Sequence, residues 1–277
     1  MKKLLFLFSL ITLVLTACQE KSTPENSLLP VKLGFGISTK ATDTAFETGD
    51  DAGVFMDGLY TNVKYAYTTS WASQTEMFWP DNTTPHNFYV YSPFMENTAL
   101  GEIKFQTNAD QSTLAKYKAS DFIWGCKKNV TPTAETVVIN SSHILTKVIV
   151  KVALGDGFTE EEKNAATISV QLLNLKTEAS INLTDGTVSA SGTVQTVKPY
   201  KNGNEWQAII VPQSLANNTQ LVVVDVNGVT YSLLSSMTFA SGKKQTLTVN
   251  VARTDSGITI GLGDWETDDT DYGGSAS

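Results

Sequence analysis

The stretch LVVVDVNGVTYSLL, residues 221–234, decides the fold class of this chain. Two apolar, β-branched runs flank Asn227-Gly228. This is the strongest short-range signal for a β-hairpin, because both residues tolerate the positive φ angles that a two-residue turn requires. Residues 179–183 and 187–191 flank Asp185-Gly186 in the same way. The sequence therefore predicts antiparallel strands joined by tight turns.

Other segments carry the same β pattern. Residues 245–251 alternate, with Leu247, Val249 and Val251 on one face and polar residues on the other. One helical signal is present, because Thr159 precedes three glutamates at capping-box spacing, and it predicts only a short helical turn. Short strands at close spacing are typical of an all-β sandwich protein. Further strands are expected over residues 88–91 and 122–124, and one long strand over residues 143–154.

The chain begins with an export signal. Two lysines precede an apolar run of about a dozen residues, which is shorter than the roughly 20 that span a bilayer and fits a signal peptide. Residues 15–18, LTAC, resemble the lipobox of bacterial lipoproteins, in which the cysteine receives lipid and becomes the first mature residue. We expect a signal peptide over residues 1–17, lipidation at Cys18 and a polar tether over residues 18–30. An ordinary signal peptide with an incidental cysteine is the alternative.

The composition and length of the chain limit its possible partners and its domain organisation. The formal net charge of −8 argues against nucleic acid as a partner. The chain has two cysteines. With Cys18 lipidated, Cys126 has no mate for an intrachain disulfide and is expected to be a small buried residue. The length suits one large or two ordinary domains. We place an N-terminal domain at 31–135, a C-terminal domain at 136–265 and an acidic flexible tail at 266–277.

The sequence carries no motif for catalysis or for metal binding. Its two histidines, His86 and His143, belong to no metal-ligand or nucleophile motif, and His143 is expected to bond a neighbouring loop. Residues 268–271, DDTD, lack the downstream glutamate of a calcium loop. Distant carboxylates paired for glycoside hydrolysis are the open catalytic alternative. We expect no enzyme activity, no cofactor and no metal.

Short motifs follow one another in order between residues 31 and 265. TKATDTAFETGD at 39–50 is followed by AGVF at 52–55, by FWP at 78–80 and by FYVYSP at 88–93. This ordered set resembles the fimbrillin-like (Mfa-like) family of Bacteroidales outer-membrane lipoproteins, which are subunits of type V pili. The remaining matching motifs are DQS (110–112), DFIWG (121–125), HILTK (143–147), IVPQ (210–213), SGK (241–243) and DW (264–265).

The resemblance implies a fold and a role. The fold would be two β-sandwich domains of transthyretin-like type. The protein would be a shaft, tip or anchor subunit of cell-surface fimbriae, with like or related pilin subunits as partners. Lipoprotein-processing enzymes would export it to the outer membrane, where lipid anchors it. In the family, a trypsin-like protease cuts the loop after the first strand, the strand leaves, and a strand of the next subunit replaces it by β-augmentation.

The segment VKLGFGI, residues 31–37, supplies such a first strand. Val31, Leu33, Phe35 and Ile37 alternate with polar or small residues and share one face. The two glycines between them weaken the strand, which suits a strand that is displaced.

The processing site and the donor strand follow from the same resemblance. Lys40 stands in the polar stretch after the first strand, where proteolysis is easy, and we expect cleavage between Lys40 and Ala41. An intact loop with a solvated Lys40 is the alternative. Near the C-terminus Ile258, Ile260 and Leu262 alternate in a strand-like segment, which is the candidate donor.

A non-polymerising, carbohydrate-binding surface lipoprotein is the alternative function. Tyrosine and tryptophan side chains stack on sugar rings, and the same side chains also fill the core between two sheets. Core packing is the simpler interpretation. The aromatic residues concerned are Tyr60, Tyr65, Tyr67, Trp71 and Trp79.

Overall fold

A computed structural model describes residues 28–37, 45–254, 257–262 and 266–271, with side chains as far as Arg253. These residues form twenty strands and two short helices, so the predicted all-β fold class is confirmed. Within these ranges, no helix combines the length and the apolar character needed to cross a membrane.

The strands follow one another with short connections throughout. The first part of the chain contains β1 (Leu33–Ile37), β2 (Asp51–Met56), β3 (Tyr60–Tyr67), β4 (Trp71–Ser73), β5 (His86–Ser92), β6 (Glu102–Gln106), α1 (Leu114–Lys118), β7 (Ile123–Val130) and β8 (Val137–His143). The second part contains β9 (Thr146–Leu154), α2 (Glu160–Ala165), β10 (Ile168–Asn182), β11 (Val188–Val197), β12 (Tyr200–Asn202), β13 (Glu205–Ile210), β14 (Gln213–Ser214), β15 (Thr219–Val226), β16 (Val229–Ser235), β17 (Thr238–Phe239), β18 (Lys243–Thr254), β19 (Gly257–Leu262) and β20 (Glu266–Asp271).

The first sheet has seven strands in the order β1-β8-β7-β5-β2-β3-β4, and only the β1–β8 pair in it is parallel. The sheet curls so that its two edge strands approach each other. The ring of Phe35 on β1 lies 5.0 Å from the ring of Trp71 on β4. One apolar core fills the inside of this curl. Its buried members are Val31, Leu33, Ala52, Val54, Met56, Val63, Tyr65, Met77, Trp79, Phe88, Val90, Val137 and Ile139.

Two further sheets face each other in the second part of the chain. One has the order β11-β10-β15-β16, with β6 also paired to β10, and the other has the order β12-β13-β9-β18-β19, with β20 also paired to β18. A small pair, β14–β17, lies beside them. Buried residues of both larger sheets pack in a single cluster, which includes Val150, Leu172, Val224 and Val249. The two sheets therefore enclose a common aliphatic core.

The local turn signals are confirmed. Val226 pairs with Val229 across the Asn-Gly turn, and Ala179 pairs with Ala190 across the Asp-Gly turn. The helix α2 begins with a complete capping box at Thr159.

The expectation of one long strand over residues 143–154 is wrong. The chain leaves the first sheet after His143 and enters another sheet at Thr146. Ile144 and Leu145 between them are both buried and belong to neither strand. These two residues are the point at which the chain passes between sheets.

The domain limits at 31–135 and 136–265 stay a prediction, and strand pairing crosses the boundary between them. The strand β8 lies after residue 135 but pairs with β1 and β7, which lie before it. The strand β6 lies before residue 135 but pairs with β10, which lies after it. The tail expected to be flexible over residues 266–277 contains a strand, β20, along Lys243–Thr246 of β18. Backbone pairing along this edge outweighs the tail's weak sequence pattern.

Candidate strand-exchange site

The chain at and just before the first strand is held by backbone bonds to two segments, residues 77–79 and β8. Before β1, Trp79 N donates to Leu29 O and Val31 N donates to Met77 O, both at 2.8 Å. The chain then runs parallel to β8, from Leu33 opposite Val137 to Ile37 opposite Ser141. No described strand pairs with the other edge of β1. Release of this segment would break its pairing with one strand, β8, and the two backbone bonds to residues 77–79.

The side chains of β1 complete the core inside the curled sheet. Val31 and Leu33 are buried, 9% and 8% exposed. Phe35 is half-buried, with its ring 5.2 Å from the ring of Tyr65 in an edge-to-face contact. Ile37 lies further on and lines a neighbouring cavity. The alternation of the sequence thus corresponds to one face directed at apolar partners.

The two glycines of β1 are not required by their surroundings. A β-carbon at Gly34 would lie 3.4 Å from Thr136 Cγ2, and one at Gly36 would lie 3.6 Å from Asn140 Oδ1, which are ordinary contacts. In contrast, a β-carbon at Gly53 in β2 would lie 2.2 Å from the ring of Tyr91. A glycine inside a regular element costs roughly 0.5–1 kcal/mol relative to alanine. The strand β1 is therefore weaker than its site demands.

A cavity of about 520 Å³ lies at the end of β1. Its walls are the end of β1, the segment before β2, the helix α1 and the crossing point between the sheets. Both charge signs are present, and Lys118 Nζ bonds Glu47 Oε1 at 2.7 Å on the rim. The apolar lining residues are Ile37, Ala45, Phe46, Pro93, Leu114, Ala119, Ile123, Leu145 and Ile209.

Several predicted site residues lie outside the described part of the chain. These are the lipidation residue Cys18 and the processing residues Lys40 and Ala41. The candidate donor strand is β19, which pairs antiparallel with β18 from Val249 opposite Leu262 to Thr254 opposite Gly257. Only the backbone of β19 is described.

The aromatic residues considered for sugar stacking divide into two groups. Trp79 and Tyr65 are buried, 1% and 4% exposed, and Trp79 Nε1 donates to Thr133 O at 3.2 Å. Trp71 and Tyr67 are half-buried, with ring centroids 5.3 Å apart, and Trp71 also contacts Phe35 of β1. Tyr60 is half-buried and its hydroxyl accepts from Phe78 N at 3.0 Å. Burial makes Trp79 and Tyr65 unavailable to a sugar.

Phe46 is a contact residue that the sequence did not reveal. Its ring lies 4.7 Å from the ring of Trp71, which Phe35 also contacts. The two phenylalanines therefore contact the same tryptophan from before and after residues 38–44. The motif at 39–50 contains Phe46, but nothing in the sequence indicated its partner.

The histidine and cysteine residues outside this site lie in partly buried positions and form no metal site among the described residues. His143 Nδ1 lies 2.5 Å from Asp121 Oδ2, which agrees with the expected bond to a loop. Cys126 is half-buried rather than buried, and desolvation raises the pKa of its thiol. Within the described ranges, no group of three or more His, Cys, Asp and Glu residues has the geometry to hold a metal ion.

Comparison with known proteins defines the class. The sequence model of the fimbrillin-like family matches residues 39–265, and the chain belongs to this family. The chain is 24% identical to a candidate fimbrium subunit of Bacteroides uniformis, Fim1C, over 95% of each chain. Crystal structures of candidate cell adhesion proteins share the fold. The one from Bacteroides ovatus has a TM-score of 0.68 at 19% identity, covering 87% of this chain and 98% of its own. The one from Bacteroides uniformis has a TM-score of 0.66 at 19% identity, covering 86% and 97%.

Proposed function

We propose that this protein is a structural or adhesive subunit of cell-surface fimbriae, exported as a lipoprotein and joined to its neighbours by strand exchange after proteolysis. Membership of the fimbrillin-like family and similarity to a candidate fimbrium subunit support the fimbrial role. The observation that carries the exchange is the position of β1. It is an edge strand with one neighbouring strand, yet its apolar face completes a core.

Departure of β1 leaves a groove of defined chemistry. Its floor is the apolar core of the first sheet, and one wall is the edge of β8 with its backbone groups unpaired. An open strand edge beside apolar pockets accepts a strand from another chain by β-augmentation, and it is prone to aggregation until it is filled. The side chains of Tyr65 and Trp71 would lose their ring contacts with Phe35.

The candidate donor has the sequence pattern of the strand that it would replace. VKLGFG at 31–36 and ITIGLG at 258–263 both place apolar residues first, third and fifth and glycine fourth and sixth. Ile258, Ile260 and Leu262 of a second subunit would occupy the positions of the departed apolar residues. The glycines would again lie on the outer face. Like subunits are therefore chemically suited to join in series.

Processing and anchoring complete the proposal. Lipid on Cys18 holds the exported chain at the outer membrane. A lysine-tolerant, trypsin-like protease then cuts between Lys40 and Ala41. The cut separates the lipid anchor and β1 from the rest of the chain, so one event both frees the subunit and opens the groove.

N-terminal sequencing of protein recovered from filaments tests this proposal. We expect assembled subunits to start at Ala41 and expect Lys40→Ala to abolish polymerisation. Lys32→Ala is the matched control, because it removes an exposed lysine from the same region and leaves the cut site intact. Filaments built from chains that start at lipidated Cys18 would contradict the exchange role. Loss of lipid label in Cys18→Ala checks the anchor separately.

A further inference from the structure

The end of β18 carries the only arginine of the chain, Arg253, and this side chain is held at several points. Its Nη1 donates to Glu162 Oε1 at 2.8 Å and lies 3.4 Å from Gly157 O. Its guanidinium carbon lies 4.5 Å from the ring centroid of Phe158, which is within the range of a cation–π contact. We call Phe158, Glu162, Arg253 and the loop 155–157 the Arg253 clamp.

The acidic partner in the clamp is fixed by its own helix. Thr159 N donates to Glu162 Oε2 at 2.8 Å, and Glu162 N donates to Thr159 Oγ1 at 3.2 Å, which is the capping box of α2. One carboxylate oxygen therefore caps the helix and the other binds the guanidinium. The bond from Arg253, followed by the one from Thr159, holds the pKa of Glu162 below its usual range. Phe158 is 9% exposed and packs into the core between the two facing sheets, so the clamp is tied to that core.

Backbone bonds hold the same end of β18 independently of β19. Gly155 N donates to Val251 O, and Arg253 N donates to Asp156 O, both at 2.8 Å. Gly157 has a φ of +80°, and a β-carbon on it would lie 2.2 Å from Arg253 O, so the loop lies directly against β18. β19 pairs with the other edge, with Arg253 opposite Ile258. Neither of the two backbone bonds to the loop involves β19.

We propose that the Arg253 clamp fixes the end of β18 so that the C-terminal segment can leave the sheet from residue 254 onward, and that it shields the chain's one arginine from Arg-specific proteolysis. The role of the moving segment rests on the proposed strand exchange. A cut after Arg253 would remove β19 and with it the donor. Proteases act on locally unfolded chain, and the bonds to the loop 155–157 oppose local unfolding at Arg253. The clamp thus protects the segment that the exchange requires.

Digestion of the full chain with an Arg-specific protease tests the shielding, because the chain offers one site and yields one product that lacks residues 254–277. We expect Glu162→Gln and Phe158→Leu to be cut about twofold to fivefold faster than the wild type, as loss of an exposed ion pair or a cation–π contact predicts. Glu160→Gln is the matched control. It loses the bond to Lys163 on the same helix and leaves Arg253 untouched. Equal cleavage of all four proteins would overturn the proposal.

Amide hydrogen exchange on the unassembled subunit tests the hinge. We expect the amides of Gly155 and Arg253 to be protected longer than those of Ile258 and Ile260, and Glu162→Gln to lower protection at Gly155 and Arg253 more than in the β9–β13 pair. If the amides of Arg253 and of β19 exchange at the same rate, the hinge is overturned, whether or not the protein forms filaments. Failure of Ala41-started chains to form filaments would instead contradict strand exchange and leave these readings unaffected.

Discussion

The chain contains two parallel strand pairs among its described sheets, and they differ in almost everything except direction. β9 and β18 pair over eight positions, from Lys147 opposite Lys244 to Leu154 opposite Val251. β1 and β8 pair over five positions. β18 lies inside its sheet, with β9 on one edge and β19 and β20 on the other, whereas β1 has one neighbour.

The side chains deepen the contrast. Val148, Val150, Leu247, Val249 and Val251 of the inner pair are buried, at most 2% exposed, in the core between two sheets. β1 contributes fewer buried residues and carries two glycines that its surroundings do not need. The two parallel pairs therefore differ in burial, and our proposal predicts that β1 detaches more easily than β18. The number of neighbours and the packing of side chains are the basis of this prediction.

The largest expected effect comes from truncating the inner pair. Leu247→Ala should lower the free energy of unfolding by about 2–5 kcal/mol, the usual range for a buried leucine. Leu33→Ala should cost less, because its loss cannot exceed the free energy that docks β1 on a body that stays folded. Urea denaturation of both variants measures the difference. An equal loss in both would mean that β1 is as integral to the fold as β18.

A smaller effect is expected from alanine in place of glycine. Gly53→Ala should destabilise the protein by about 1–3 kcal/mol, because the new methyl group overlaps the ring of Tyr91.

Gly36→Ala should stabilise β1 by about 0.5–1 kcal/mol, because it fits without a clash and strengthens the strand. It should also slow filament assembly. Amide hydrogen exchange in β1 and the rate of filament assembly measure these two effects. If both quantities in Gly36→Ala equal those of the wild type, the result would count against a detachable β1.

The hairpins were predictable because their signals are local. Asn227-Gly228 and Asp185-Gly186 specify turns by their own backbone preferences, and Thr159 with Glu162 specifies a helix start. The alternation of residues 31–37 predicted a strand with one apolar face for the same reason.

The position of β1 in its sheet was not predictable, because it depends on pairing with residues about a hundred positions away. Contact between Phe46 and Trp71 is equally non-local. The break at Ile144-Leu145 was not predictable, because an apolar segment has the same sequence pattern whether it stays in one sheet or passes between two. β20 was missed because its pairing with the edge of β18 compensates for a weak intrinsic strand preference.

A reversible bond between β1 and β8 tests strand exchange most directly. Gly34 and Val138 are register partners, and a β-carbon at Gly34 would lie 4.0 Å from Val138 Cγ2, so Gly34→Cys with Val138→Cys is placed for a disulfide. The variant is made in a Cys126→Ala background, with each single cysteine as a control. We predict that the oxidised, protease-cut protein forms no filaments and that a reductant restores them. Filaments formed at the wild-type rate with the disulfide intact would contradict the account.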